Sequence, residues 1–195
     1  MARPLTAYLG DGSYDGIDIV DRSIAWCQRT YSTRFPKFRF HFLDAYNGVY
    51  NPTGKWDARE YRFPFADSAF DFVFLTSVFT HMLPTEMENY LREISRLLKP
   101  GGRCLITYFL LTPDSRQRIS AGQANRTFSH QVPGCRIQDA KHPEAAVAYD
   151  ENRIREVYTE QGLQVLEPVR YGSWSGRQDG LSYQDIVLAR KSGER

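Results

Sequence analysis

Between Ala69 and Leu111 the chain reads AFDFVFLTSVF, then an amphipathic stretch, then KPGG, then RCLITYFLL. This order restricts the possible folds more than any other part of the sequence. The first run is apolar, β-branched and aromatic, the pattern of a strand covered on both faces. Met87, Tyr90, Leu91, Ile94, Leu97 and Leu98 recur at i, i+3, i+4 and i+7, which predicts a helix starting near Pro84. Lys99 to Gly102 ends it with proline and glycine stop signals and a turn. The second run then predicts another buried strand. Strand, helix and strand in that order form the unit of an α/β fold with a mainly parallel sheet.

The flanking segments extend the same alternation. SYDGIDIVD carries Ile17, Ile19 and Val20 and places Asp18 where a strand ends. Asp21 is a candidate N-cap for a helix in which Ile24, Trp26, Cys27 and Tyr31 repeat at helical spacing, closed by Pro36. FRFHFLDA alternates Phe38, Phe40 and Phe42 with polar neighbours and ends at a second carboxylate, Asp44. Tyr46 to Arg62, rich in Asn, Gly, Pro and Trp, reads as a loop, and Thr112 to Pro143 as an irregular insertion holding a helix and a hairpin. DENRIREVYTEQGL predicts a last amphipathic helix stopping near Gly162. QVLEPVRYG and YQDIVLAR pair as a closing antiparallel hairpin. One domain over residues 1–195, with a lid-like insertion at about 112–143, is therefore expected.

Composition narrows the function classes. A net charge of +2 is too small to argue for nucleic acid or an anionic membrane, and no apolar run reaches the ~18 residues of a bilayer span. Three widely spaced cysteines without a C-x-x-C favour reduced thiols over a disulfide framework or a zinc site, and the four histidines are scattered. A cytoplasmic protein is the expectation.

In open α/β sheets ligands bind beyond the carboxyl ends of the strands. Asp18, Asp44 and Thr76–Ser77–Val78 all fall at such ends. A carboxylate in the place of Asp18 can accept both ribose hydroxyls of a nucleotide; its plainer reading is an acid leading a helix. Asp44 can take an adenine amino group with small Ala45 leaving room for the base, or simply form a turn. His81 offers a general base at the cleft mouth or packs at the helix entry. YGSWSGR, Tyr171 to Arg177, offers an acceptor wall, with Trp174 equally suited to packing. Arg116, Arg118 and Arg126 read as a solvated face.

The segment FPFADSAFDFVFLTSVFTHMLPTEMENYLREISRLLKPGG resembles the class I S-adenosylmethionine-dependent methyltransferases, the small-molecule type in particular. Phe63, Pro64, Phe65, Asp67, Phe70, Asp71, His81, Leu98, Lys99, Pro100, Gly101 and Gly102 carry the likeness in order. The resemblance implies a Rossmann-like fold with S-adenosyl-L-methionine as cofactor. It makes Asp18 the ribose ligand and Ile19 an adenine neighbour. Asp44 becomes the acceptor of the adenine amine beside Ala45, and Thr76 and Ser77 the lining of the methionine part. It extends over nearly the whole chain and weakens between Thr112 and Pro143. The family's first strand and glycine-rich loop are not in the sequence, so MARPLTAYLG is expected to be the tail of the helix that follows them, with the fold N-terminally incomplete.

The function expected is methyl transfer to an oxygen, nitrogen or carbon nucleophile on a small molecule, with no nucleic-acid, membrane or metal partner; the oligomeric state is not specified. One rival is a catalytically inactive methyltransferase-like binding protein. The other is a nicotinamide-dependent oxidoreductase, which would want a Tyr-x-x-x-Lys or similar near the strand after KPGG.

Overall fold

The computed structural model describes residues 2–193. The chain divides into two compact units, Met1–Asp57 and Ala58–Arg195. In the first, helix α1 (Ala2–Tyr8) leads to strand β1 (Tyr14–Asp18), helix α2 (Asp21–Cys27) and strand β2 (Phe38–Phe42). β1 and β2 run parallel, from Tyr14 opposite Phe38 to Asp18 opposite Phe42. The crossover between them is α2 followed by a π-helical turn, Gln28–Ser32. Ala2, Ile24, Phe38 and Phe40 form the core, with Leu5, Tyr14 and Tyr31 packed against it. Two details depart from the sequence reading. Val20, not Asp21, is the N-cap of α2, and Asp21 occupies the first turn. Trp26 is exposed and meets the Tyr31 ring edge-on, with centroids 5.8 Å apart. The helical spacing included Trp26, but a seven-residue helix has only one narrow face to bury, and Ile24 takes it.

The second unit opens with β3 (Phe70–Leu75), α3 (Pro84–Leu97) and β4 (Leu98–Tyr108). β3 and β4 are parallel. Their register slips between Phe70–Leu98 and Phe72–Arg103, so the KPGG turn forms a bulge within the strand. Gly101 sits there at φ +76°, a conformation that side chains resist. β9 (Leu163–Arg170) and β10 (Asp185–Lys191) form the expected antiparallel hairpin, and the sheet order is β3-β4-β10-β9. α5 (Glu151–Glu160), capped by the Asp150 carboxylate on the Asn152 N–H, precedes β9 and stops at Gly162. The core runs from Met87, Leu91 and Ile94 of α3 to Ile106 and Tyr108 of β4. The Tyr108 hydroxyl lies 3.0 Å from that of Tyr158.

β3 is less covered than its sequence predicts: Phe72 is 47% exposed. Among the described residues β3 pairs only with β4, so one edge and part of a face stay open. An apolar run reports what a strand is able to bury and carries no information about which neighbour does the covering.

The insertion contains the expected helix and hairpin. β5 (Leu110–Leu111) continues from β4, followed by α4 (Pro113–Ser120), the hairpin β6 (His130–Val132) and β7 (Cys135–Ile137), and β8 (Val147–Asp150). These four strands form a second sheet, β5-β8-β7-β6. Phe109, Leu111, Phe128, Ala146, Ala148 and Trp174 make its core. Among the described residues no helix is long and apolar enough to cross a membrane.

The FPFAD segment is held by α3. Arg96 donates to the carbonyls of Phe63 and Phe65 at 3.0 and 2.8 Å and to Asp67 at 2.7 Å. Glu93 accepts the Phe63 N–H at 2.9 Å. Lys99 reaches both oxygens of Asp71 at 2.8 and 2.9 Å. Much of the segment that carries the family resemblance is thus a clamp between a loop and a helix.

Candidate functional site

In the first unit Asp18 ends β1 and is exposed. Its Oδ1 accepts the Val20 N–H at 2.8 Å, which fixes the carboxylate's direction. Oδ2 has no hydrogen-bond partner among the described residues. Two hydroxyls on adjacent carbons are a natural match for a carboxylate set in this way. Ile19, half-buried, separates it from α2.

Asp44 lies just past β2 and is already engaged. Its Oδ1 accepts from the Asn51 amide at 3.2 Å, and its Oδ2 stands 3.5 Å from the Lys55 ammonium. The Asp44 carbonyl takes the N–H groups of Lys55 and Trp56 at 2.8 and 2.9 Å. A carboxylate has about four lone-pair positions, so capacity for further donors is left. Ala45 is only 1% exposed, covered by the loop that returns at Trp56. Asp18 therefore uses one carboxylate oxygen on its own backbone, whereas Asp44 doubles as the anchor of its own loop.

That anchor depends on Gly54. A Cβ there would lie 2.4 Å from the carbonyl carbon and oxygen of Ala45 and 2.5 Å from the Tyr46 nitrogen. Gly54→Ala is expected to cost about 1–3 kcal/mol and to open the loop around Asp44. Amide exchange at Lys55 and Trp56, whose N–H groups bond to Asp44, measures this; protection equal to that of the unaltered chain would refute it.

In the second unit Thr76 and Ser77 follow β3 directly. Ser77 has φ +55°, strained for a residue with a side chain. Its N–H donates to the Thr107 hydroxyl at 2.9 Å and its own hydroxyl to Gln184 Oε1 at 3.0 Å. Thr107 donates to the same oxygen at 2.7 Å. Sequence reasoning missed Gln184, which stands in the bend just ahead of β10 with nothing in the sequence to mark it.

His81 ends a short 3-10 turn, Phe79–His81, ahead of α3. Its Nδ1 is 3.0 Å from the Glu144 carbonyl oxygen. A carbonyl only accepts, so Nδ1 carries the proton and the Nε2 lone pair is the basic one. Burial lowers its pKa, and the positive charge of Arg126 adds to this, keeping the imidazole neutral near pH 7.

Trp174 does not line a pocket. It is fully buried against Phe109 and Phe128, and its indole N–H donates to Asp185 at 2.8 Å. Arg177 pairs with Asp114 at 2.8 Å and lies over the Tyr171 ring. Of the three arginines read as a solvated face, Arg116 and Arg118 do pair with the acids Asp150 and Asp114. Arg126 does not: it is half-buried and set over the Phe109 ring, 5.4 Å from its centroid.

The strand order β3-β4-β10-β9 of the second unit and the parallel β1–β2 pair of the first belong to a Rossmann-like α/β class. A family profile described as a methyltransferase domain matches residues 1–106, more than half of the sequence. The chain belongs to this family, the class I S-adenosylmethionine-dependent methyltransferases.

Among solved structures, an S-adenosylmethionine-dependent methyltransferase from Methanosarcina mazei aligns over 98% of this chain and 87% of its own, with a TM-score of 0.61 at 19% identity. The 1,6-didemethyltoxoflavin-N1-methyltransferase of Burkholderia thailandensis, solved with S-adenosylhomocysteine, aligns over 98% of this chain and 76% of its own, at TM-score 0.51 and 14% identity. Both share the fold. A curated relative, the chicken (Gallus gallus) tRNA N(3)-cytidine methyltransferase METTL2, is 27% identical over 106 residues, 54% of this chain and 26% of that protein. The chain thus spans about a quarter of that relative's length.

Proposed function

We propose that this chain serves S-adenosylmethionine-dependent methyl transfer to a small-molecule acceptor. The observation that carries the reading is Asp18, a directed and exposed carboxylate at the end of β1, inside the region matched by the family profile. In this reading Asp18 holds the ribose, with Ile19 beside the adenine. Asp44 accepts the adenine amine next to Ala45, and Thr76 and Ser77 face the methionine part. When bound, the cofactor supplies an electrophilic methyl group. The protein's task is then to align an acceptor and exclude water, and alignment alone can contribute ~7–11 kcal/mol. His81, whose pKa burial lowers, is the candidate to receive a proton from an acceptor hydroxyl or amine. The small net charge supports a small molecule over a polyanion. An RNA acceptor is the second reading, favoured by the likeness to a tRNA methyltransferase.

Calorimetric titration with S-adenosylhomocysteine, against NAD as a control, tests the cofactor. Asp18→Ala is expected to weaken S-adenosylhomocysteine by ~1.5–3 kcal/mol, the scale of a hydrogen bond to a charged group. Equal affinity in the two proteins would remove the ribose assignment, and preferential NAD binding would remove the whole reading. Transfer of labelled methyl to tRNA, with none to small acceptors, would select the RNA reading.

A further inference from the structure

Among the described residues, Ser68 and Ser77 are the non-glycine positions with positive φ, at +54° and +55°. Ser68 lies in an exposed turn ahead of β3, where such a conformation is ordinary. Ser77 instead follows the carboxyl end of a strand, the place where α/β sheets meet their ligands. A left-handed residue with a Cβ persists when its surroundings hold it there, and such residues cluster at binding sites. At Ser77 the hold converges on one carboxamide. Gln184 Oε1 accepts the Ser77 hydroxyl at 3.0 Å and the Thr107 hydroxyl at 2.7 Å. With its proton committed to Gln184, the Thr107 oxygen accepts the Ser77 N–H at 2.9 Å. Gln184 Nε2 donates to the buried Thr80 hydroxyl at 3.4 Å. One side chain thus joins the end of β3, the end of β4 and the turn ahead of α3. Gln184 is itself pinned. β10 runs antiparallel to β4 with Asp185 opposite Tyr108, which brings the preceding residue to the carboxyl ends of β3 and β4. On one side of it the Tyr183 carbonyl takes the Trp174 N–H at 3.0 Å, and on the other the Asp185 carboxylate takes the Gly172 and Leu110 N–H groups at 2.7 and 2.6 Å. A Cβ on Gly172 would lie 2.5 Å from the Gln184 carbonyl carbon, so the backbone there has little room to shift.

We propose that Gln184 is a positioning residue: it holds Ser77 in its left-handed conformation and so sets the end of β3 for the amino-acid part of the cofactor. The proposal rests on the methyl-transfer reading, in which Thr76 and Ser77 face that part. Ser77 is exposed and Thr76 half-buried, so their peptide groups are open to a ligand only as long as the chain keeps its course out of β3. Without the carboxamide, the Ser77 and Thr107 hydroxyls lose their common acceptor, and Ser77 gains by relaxing to negative φ. The peptide groups on either side of it then rotate away from the arrangement the ligand requires. Gln184 acts through Ser77 and has no need to touch the ligand itself.

The test titrates the full chain by calorimetry with S-adenosylhomocysteine and with 5′-methylthioadenosine, which lacks its amino-acid end. Gln184→Ala is expected to weaken S-adenosylhomocysteine by roughly tenfold, the scale of one hydrogen-bonded contact, and to leave 5′-methylthioadenosine unchanged. Adding Ser77→Gly to Gln184→Ala should recover most of that loss, because glycine takes positive φ without being held. Amide exchange at Ser77, measured without ligand, should speed up in Gln184→Ala. If that variant fails to fold by circular dichroism, Gln184→Met carries the comparison, since it keeps the length of the side chain and gives up both the acceptor and the donor. Equal loss for the two ligands would assign Gln184 a general structural role and overturn the proposal, as would no recovery with Ser77→Gly or unchanged exchange at Ser77. Full affinity for S-adenosylhomocysteine in Gln184→Ala would remove this role alone. No binding of S-adenosylhomocysteine by the unaltered chain would remove the methyl-transfer reading and this role with it, so the two failures register as different results.

Discussion

Asp185→Ala is expected to unfold the second unit or to lower its stability by about 3–5 kcal/mol, the range for breaking a buried, hydrogen-bonded charge. Asp185 begins β10, is only 2% exposed, and gathers three donors from separate parts of the chain. They are the Leu110 N–H at 2.6 Å, the Gly172 N–H at 2.7 Å and the Trp174 indole N–H at 2.8 Å. Removing the carboxylate strands all three away from water. It also unties the Phe109–Phe128–Trp174 cluster, because the indole loses the bond that sets its angle. Since a whole domain is stable by ~5–15 kcal/mol, one residue then decides whether the insertion packs. Chemical denaturation of the variant measures the loss, and a midpoint within experimental error of the unaltered protein would defeat the claim.

The same residue has a pH signature. Burial pushes its carboxyl up to about 6, although the three N–H donors and Arg177 pull in the opposite direction. An unfolded aspartate titrates near 3.9. Between those two values the folded state keeps a proton that the unfolded state has released. The contribution of Asp185 is therefore fully present below about pH 4 and is lost as pH rises through about 6. The stability of wild type relative to Asp185→Asn should fall by on the order of 2–3 kcal/mol across that window. A difference independent of pH would show that the N–H donors and Arg177 cancel the effect of burial.

Asp185 also shows where sequence reading stops. In YQDIVLAR it is a polar residue at the start of a strand, and its partners lie at positions 110, 172 and 174. No local pattern joins those positions; the pairing of β10 with β4 and β9 does. What local patterns do carry was legible: the apolar runs of β3 and β4, the stripe on α3, the proline and glycine stops, and the closing hairpin. Asp18 was legible for the same reason, since the end of a strand is a local property. Burial was not. Phe72 and Trp26 carry apolar side chains that the fold leaves exposed, and Arg126 carries a charge that it partly covers. Each outcome is decided by a neighbour distant in sequence, which hydrophobic periodicity does not encode.

Arg96→Ala is expected to be comparably severe, for an electrostatic reason. Arg96 lies in the last turn of α3, its side chain 12% exposed, and its fork reaches four groups at once. Nε and Nη2 bind the two oxygens of Glu93 at 2.9 and 2.6 Å, while the remaining donors hold the Phe63 and Phe65 carbonyls and Asp67. The Glu93 side chain is itself 6% exposed. Burial would raise its carboxyl, but Arg96 and the Phe63 N–H hold it below the usual value. Glu93 thus lends stability at neutral pH that is lost as pH falls through its folded value. Without Arg96 that charge is buried and unpaired, a loss of about 3–5 kcal/mol. Lysine does not rescue it, because a single ammonium cannot span Glu93 and two carbonyls. Arg96→Ala combined with Glu93→Gln should cost less than the sum of the two single changes, since the second removes the charge that the first exposes. A double-mutant cycle by urea denaturation reads this directly. Strict additivity, or a loss below about 1 kcal/mol for Arg96→Ala, would mean that the clamp on FPFAD behaves as an ordinary surface ion pair and that this segment owes its order to the packing of Phe63 and Phe65.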